Sequence, residues 1–159
     1  AGKSTTLAAM MDHRNASVTG HILTIEDPVE FIFQNKKSVV NQREVGSDTH
    51  SMQTALKNAL RQAPDVILVG EIRDRETMSA AIAYAQSGHL CLATMHANNS
   101  YQALNRILSF YPVEVRSTML GDLAAALKSI ISQRLLHCRD GSRRPAPAVS
   151  RPPAQTPAP

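Results

Sequence analysis

A glycine, a lysine and a serine stand side by side at positions 2 to 4, directly before an apolar pattern typical of a helix. They match the end of the pattern G-x-x-x-x-G-K-[ST], in which backbone N–H groups and the N-terminus of the next helix bind phosphate oxygens. Lys3 would reach the β- and γ-phosphates as a point charge, and the Ser4 hydroxyl would ligate Mg²⁺. Gly2 and Thr5 are expected to complete the phosphate contacts. The first glycine of the pattern is not in this sequence, so the hypothesis needs support from elsewhere in the chain.

Acidic side chains follow two apolar runs that are predicted to be buried strands. Glu26 and Asp27 come directly after residues 22–25, and Glu71 follows residues 66–70. Because open α/β sheets place ligands at the carboxyl ends of their strands, we expect these acids to lie beside the phosphate loop. A carboxylate at that place can hold the shell of a magnesium ion or orient the attacking water. Helix caps and surface ion pairs are the alternative for such acids.

A third apolar run, residues 88–95, ends at a histidine. In a parallel sheet the imidazole of His96 would reach the same edge as the acids, where it could hydrogen-bond a γ-phosphate and report its loss. A histidine satisfied by loop contacts is the alternative. That alternative is our interpretation of His13, His21, His50 and His137, because no pair of them has the spacing of metal ligands.

Strand and helix patterns alternate along most of the chain. The predicted strands are residues 21–25, 66–70 and 89–95. The predicted helices are residues 49–62, with Asp48 or Thr49 as N-cap, residues 74–86 and 98–110, and residues 115–136 as one long helix or two short ones. Residues 29–33 and 38–41 are predicted to form a hairpin. The alternation favours a parallel sheet covered by helices.

The composition suits one cytosolic domain. The chain has 159 residues, 43% of them hydrophobic, and Cys91 and Cys138 lack the spacing of a zinc site or a disulfide framework. No apolar run is long enough to cross a bilayer, and no signal-peptide pattern opens the chain. Much of the net charge of +4 lies near the C-terminus, where the Pro-rich residues 143–159 are predicted to be a disordered tail. Because the charge lies there, a nucleic-acid partner is not expected.

Three longer segments resemble motifs of the type II/IV secretion ATPases. Residues 22–31 resemble the Asp box of that family, residues 63–77 its Walker B motif and residues 88–99 its His box. The resemblance covers residues 1–142. It implies an α/β fold with a RecA-like P-loop NTPase core, a mainly parallel sheet and a helical C-terminal region, followed by the disordered tail.

Within that family, the chain is most similar to the pilus retraction branch. Residues 41–46 are similar to the PilT/PilU ATPases, and residues 89–104 look most like the PilU type. The resemblance implies an ATP-hydrolysing motor subunit that powers type IV pilus retraction and twitching motility. An accessory retraction subunit that acts through a partner motor ring is one alternative. A pilus-extension or type II secretion ATPase is another, although the chain lacks the four-cysteine zinc module that assembly motors often carry.

The resemblance also implies a homo-hexamer that binds ATP and Mg²⁺ between neighbouring protomers. Lys3 and Ser4 would contact phosphate and Mg²⁺, Glu71 would activate water, and Glu26 would serve the water or the metal shell. His96 would sense the γ-phosphate, and Asp27 would belong to the nucleotide site.

Three arginines are candidates for charge compensation or for contacts between protomers, with solvated surface ion pairs as the alternative: Arg43, Arg61 and Arg73. The family further implies a cytoplasmic protein at the inner-membrane pilus machinery. Its expected partners are the membrane platform protein and another retraction ATPase.

Overall fold

The first four strands of the chain form one parallel sheet, as the alternating pattern predicts. The computed structural model describes residues 2–152, which divide into two units, Gly2–His96 and the residues from Ala97 onward. The sheet belongs to the first unit. Its four strands, in the order β2-β1-β3-β4, are β1 (Gly20–Glu26), β2 (Ser38–Glu44), β3 (Val66–Val69) and β4 (Leu90–Ala93).

The central strands are apolar because both faces of the sheet are covered. All four residues of β3 are buried, as are Ile22 to Ile25 of β1. Such continuous apolar runs are typical of parallel strands. The register pairs Ile25 with Val69, so β1 and β3 end at the same edge of the sheet.

Three helices accompany the sheet in this unit: α1 (Lys3–Ser17), α2 (Met52–Ala59) and α3 (Arg75–Gln86). Met11 of α1 packs into a core cluster with Ile22, Val66 and Leu68. A 3₁₀ turn extends α2 through Leu60–Gln62.

Of the N-caps predicted for α2 and α3, the cap of α3 is confirmed and the cap of α2 is wrong. Asp74 caps α3, since its side chain accepts a hydrogen bond from the Thr77 N–H. The cap of α2 is Ser51 rather than Asp48 or Thr49. Asp48 is engaged in a tight turn after β2, where its carboxylate accepts from the Glu44 N–H at 2.8 Å.

The predicted hairpin of residues 29–33 and 38–41 is wrong. Residues 29–33 form no strand, and β2 pairs in parallel with β1. Side chains of β2 satisfy the loop instead: Gln42 accepts from the Phe33 N–H at 2.8 Å, and Glu44 accepts from the Val29 N–H at 2.9 Å. These two backbone N–H groups therefore need no strand partner.

The second unit contains α4 (Ser100–Ser109), α5 (Val113–Ala126) and an antiparallel pair, β5 (Ile130–His137) and β6 (Arg143–Ser150). The α4 helix is confirmed, with Asn99 as its N-cap. The helix predicted to continue to residue 136 ends ten residues earlier, at Ala126. Within the described part of the chain, no helix has the length and apolarity needed to span a bilayer.

Predicted disorder from residue 143 onward is wrong for residues 143–150, which form β6. Pro145 and Pro147 are two residues apart, so their ring nitrogens face the same side of the strand. The Ser142 carbonyl accepts from the Cys138 N–H at 2.8 Å, so the backbone groups of Ser142 face β5. Since these groups alternate in direction from one residue to the next along a strand, the nitrogens of both prolines face away from β5. Prolines that face outward from an edge strand leave the hydrogen-bond ladder intact. Residues 153–159 of the predicted tail lie outside the described residues.

Candidate functional site

A cavity of about 300 Å³ opens at the edge of the sheet where β1, β3 and β4 end. Its walls come from α1, the segment after β1, and the segments after β3 and β4. They include seven of the residues selected from the sequence: Lys3, Ser4, Glu26, Asp27, Glu71, Arg73 and His96. Residues from four separate motifs therefore share one cavity.

The start of α1 brings a cation and a hydroxyl to this cavity. Gly2 precedes the helix with φ of 72°, a left-handed conformation that glycine adopts without strain. Lys3 Nζ donates to the Met95 carbonyl at 3.2 Å and lies 3.4 Å from His96 Nδ1. The lysine therefore reaches across the cavity to the segment after β4.

Ser4 contacts Glu30, an acid that does not directly follow a predicted strand. Its Oγ donates to Glu30 Oε1 at 2.9 Å, and Glu30 also lines the cavity. Glu30 lies in the loop after β1, where no strand or helix period fixes its direction. The only signal in the sequence was its place at the end of the run from Glu26 to Glu30 in the Asp-box-like segment.

The Glu26 carboxylate is held from the protein side. Thr24 Oγ1 donates to Glu26 Oε1 at 2.7 Å, and Gln42 Nε2 approaches the same oxygen at 3.3 Å. Thr24 is fully buried. The end of β3 lies so close that a Cβ added at Gly70 would be 3.1 Å from the Glu26 Cα. Glycine at this position therefore allows the two strand ends to approach.

The Glu71 carboxylate accepts contacts from two sides. His96 Nε2 lies 2.6 Å from Glu71 Oε1, and Arg73 Nε donates to Glu71 Oε2. An imidazole with its proton on Nε2 satisfies both neighbours, since Nδ1 can then accept from Lys3. Only 16% of the Glu71 side chain is exposed, against 80% for His96. The acid is therefore fixed by groups that are themselves reachable by a ligand.

Arg73 links the acids that follow β1 and β3. Besides its bond to Glu71, its Nη1 lies 3.6 Å from Asp27 Oδ2. The hydrogen bond and negative charge of Glu71, followed by the charge of Asp27, raise the pKa of the Arg73 guanidinium above its ordinary value. The arginine thus compensates charge within its own chain.

Four other selected residues do not line the cavity: Gly2, Thr5, Arg43 and Arg61. Thr5 is exposed on α1, and Arg61 is exposed in the 3₁₀ turn after α2. Arg43 lies near the end of β2, and its Nε is buried without a hydrogen-bond partner among the described residues. Within a single chain, Arg43 and Arg61 therefore lie outside the cavity lining.

The donor set of the cavity suits a magnesium ion held together with phosphate. The hydroxyl of Ser4 and the carboxylates of Glu26 and Glu30 are hard oxygen ligands. No group of three or more His, Cys, Asp or Glu residues in residues 2–152 is arranged to hold a metal ion by itself. Mg²⁺ at phosphate sites commonly takes one or two protein oxygens, with phosphates and water as the remaining ligands.

Comparisons with known proteins place the chain in a family. The family model described as "Type II/IV secretion system protein" matches residues 1–156, and the chain belongs to that family. It is 56% identical to the type IV pilus ATPase PilU of Pseudomonas aeruginosa over 91% of this chain and 38% of the relative. It is 46% identical to the retraction ATPase PilT of the same organism over 89% of this chain and 41% of the relative.

A solved structure supports the same family assignment. The crystal structure of the pilus retraction motor PilT with bound ADP superposes with a TM-score of 0.90 at 47% identity, over 95% of this chain and 44% of that one. The predicted α/β fold with a mainly parallel sheet and the resemblance to the PilT/PilU branch are therefore confirmed. The chain spans about two fifths of the length of these curated relatives.

Proposed function

We propose that the protein is an ATP-hydrolysing motor subunit that powers type IV pilus retraction, and so twitching motility. The observation that carries the proposal is the single cavity in which Lys3 and Ser4 face the acids that follow β1 and β3. A basic phosphate contact, a hydroxyl for Mg²⁺ and a carboxylate near the expected γ-phosphate are the parts that phosphoryl transfer to water requires. The similarity to the type IV pilus ATPases PilU and PilT supports the pilus as the structure on which the motor acts.

Each group in the cavity receives a role in this proposal. Gly2, Lys3, Ser4 and Thr5 would hold the nucleotide phosphates, and the Ser4 hydroxyl would ligate the magnesium ion that neutralises developing charge. Lys3 would exchange its bond to the Met95 carbonyl for a phosphate oxygen.

The remaining groups would act on the attacking water. Glu71 would orient and activate it, while Glu26 would support the water or the metal shell. His96, which already touches Lys3 and Glu71, would bond the γ-phosphate and change partners when it leaves. Asp27 would act through Arg73, which bridges it to Glu71.

The assembly is part of the proposal. ATP would bind between protomers of a homo-hexamer in the cytoplasm, at the inner-membrane platform of the pilus. Arg73 is engaged with Glu71 of its own chain, so Arg43 and Arg61 are the better candidates for contacts with a neighbouring protomer.

One further candidate function has a specific observation in its favour. Identity to PilU is 56% and identity to PilT is 46%, over nearly the same part of the chain. The chain is thus more similar to PilU than to PilT. The PilU-like segment is what suggests an accessory subunit, one that binds nucleotide and works through the ring of another retraction ATPase.

The test is Mg²⁺-dependent ATP turnover of the full-length natural protein beside its Glu71→Gln variant. We expect the substitution to lower turnover by about 100-fold or more, because a positioned base contributes on that scale. Glu76→Gln is the matched control, since Glu76 is an exposed acid in the first turn of α3 that does not line the cavity.

Three outcomes separate the hypotheses. Loss of turnover in Glu71→Gln alone supports an autonomous ATPase. Turnover near the natural rate in that variant contradicts the role of Glu71. Absence of turnover in every form, with ATP still bound, favours the accessory subunit.

A further inference from the structure

We infer that Thr24 and Gln42 are positioning residues for Glu26, which they hold in the orientation that hydrolysis requires. The inference rests on the proposed function, in which Glu26 supports the attacking water or the metal shell. Neither residue lines the cavity, and both act through the carboxylate rather than on a ligand.

The sheet register brings the three side chains together. Thr24 and Glu26 are two residues apart on β1, so they point to the same face of the sheet. Gln42 of β2 is the register partner of Thr24, and paired residues of parallel strands also share a face. Thr24 is 0% exposed, so its hydroxyl needs a partner inside the protein. That partner is Glu26 Oε1, 2.7 Å away.

The amide of Gln42 is fixed by the backbone of the loop after β1. Its Oε1 accepts from the Phe33 N–H at 2.8 Å, which identifies the other end of the amide as the NH₂ group. One Nε2 proton goes to the Phe31 carbonyl at 2.8 Å. The second proton is directed to Glu26, at 3.3 Å. The glutamine therefore has its donors and its acceptor in use.

This arrangement gives the carboxylate one orientation. Both hydrogen bonds end on Oε1, which leaves Oε2 as the oxygen for a water or for the metal shell. Hydrogen bonds to an ionised group are about twice as strong as those between neutral groups. Without them, the carboxylate would rotate about its side-chain bonds, and displacements of about 1 Å can cost 100-fold in rate.

The experiment uses steady-state ATP turnover of the full-length natural protein with substitutions at position 24. Thr24→Val keeps the shape of the side chain and removes the hydroxyl, while Thr24→Ser keeps the hydroxyl. We expect Thr24→Val to lower kcat about tenfold with KM changed less than about twofold, because the lost bond serves the chemical step. Thr24→Ser should restore most of kcat. Gln42→Leu should lower kcat in the same sense.

Ser38→Ala is the matched control. Ser38 is also buried on this sheet, and its hydroxyl donates to the Val18 carbonyl at 2.6 Å, away from the cavity. If the effect of Thr24→Val came only from losing a buried hydrogen bond, Ser38→Ala would lower kcat equally. That result, or equal losses in Thr24→Val and Thr24→Ser, overturns the inference. Natural turnover in Thr24→Val overturns it as well.

A second pair of variants separates this inference from the proposed function. We expect Glu26→Gln to lower kcat strongly. In the double variant, Thr24→Val should lower kcat by less than about a further twofold, because the effects of residues that act as a unit are not additive. A further tenfold loss in the double variant would mean that Thr24 acts independently of Glu26. Natural turnover in Glu26→Gln itself would instead remove the role of Glu26 from the proposed function. If Glu26→Gln turns over too slowly to measure, the kcat-against-KM comparison at position 24 decides.

Discussion

The Ser4 hydroxyl donates to the Glu30 carboxylate, which adds an acid beside the expected metal position. Replacing Glu30 by Gln keeps the side-chain length and an acceptor oxygen but removes the charge. We expect the Mg²⁺ concentration for half-maximal turnover to rise about three- to tenfold, because hard cations favour charged oxygen ligands in their shell. Titration of turnover with Mg²⁺ at saturating ATP measures this shift.

Glu114→Gln serves as the control for this change, since Glu114 lies in the first turn of α5 and does not line the cavity. An unchanged Mg²⁺ requirement in Glu30→Gln would contradict a place for Glu30 in the metal shell. It would leave the hydrogen bond to Ser4 as a contact of the ligand-free protein only.

Residue types and their places at the ends of predicted elements identified most of the charged groups that line the cavity. Lys3 and Glu71 could be selected because each follows or precedes an element with a clear period. Glu30 and Gln42 could not, because their roles depend on the path of the loop after β1. The direction of a loop is set by side-chain contacts distant in sequence, and no local pattern encodes them.

At the scale of elements, the close approach of β1 and β3 depends on Gly70. A Cβ at this position would be 3.1 Å from the Glu26 Cα and 3.2 Å from the Ile25 carbonyl oxygen, both of them backbone atoms. We expect Gly70→Ala to destabilise the fold by about 1–3 kcal/mol, because backbone atoms can relieve such overpacking only by moving the strands apart. Urea denaturation followed by circular dichroism measures the loss.

Gly121→Ala is the matched substitution, since Gly121 lies inside α5 and an added Cβ would meet nothing within 4 Å. Alanine is the better helix former by about 0.8–1.0 kcal/mol, so this variant should be as stable as the natural protein or more stable. A Gly70→Ala protein with natural stability would mean that the strand ends move apart without cost.

The elements that the sequence predicted correctly are those with strong local signals. The run of β3 is apolar throughout and β-branched at three of its four residues, and α3 begins at a capping aspartate, Asp74. The segment after Ala126 lacks such a signal, because the apolar run around Ile130 and Ile131 is compatible with a helix or a strand. This segment forms a strand because it pairs with β6. The prolines of β6 predict no strand by themselves, since only the pairing shows that their nitrogens face away from β5.

At the scale of the assembled protein, Arg43 is the arginine with the strongest reason to meet a neighbouring protomer. Its Nε is buried without a hydrogen-bond partner among residues 2–152. An unpaired buried donor is costly. The Arg43 residue as a whole is only partly buried, so a neighbouring protomer that draws its guanidinium outward would give this donor a partner. Arg61, by contrast, is exposed in the turn after α2 and gains little from a contact.

Mixed rings test this assignment. Full-length Glu71→Gln and full-length Arg43→Gln are expected to be nearly inactive alone. If Arg43 serves the site of its neighbour, a 1:1 mixture should regain about a quarter of natural turnover, because random assembly gives that fraction of interfaces an intact Glu71 and an intact Arg43. The measurement is ATP turnover after the two variants have been dissociated and reassembled together.

A mixture of Glu71→Gln with Arg61→Gln provides the comparison, in which Arg61→Gln should keep most of its turnover alone. Failure of the first mixture to exceed the activity of its two components would contradict a trans role for Arg43. An arginine that acts within its own chain cannot complement Glu71→Gln in this way, because every protomer of the mixture then lacks one of the two groups. The regained fraction thus tells whether the cavity described in a single chain is completed by a second copy.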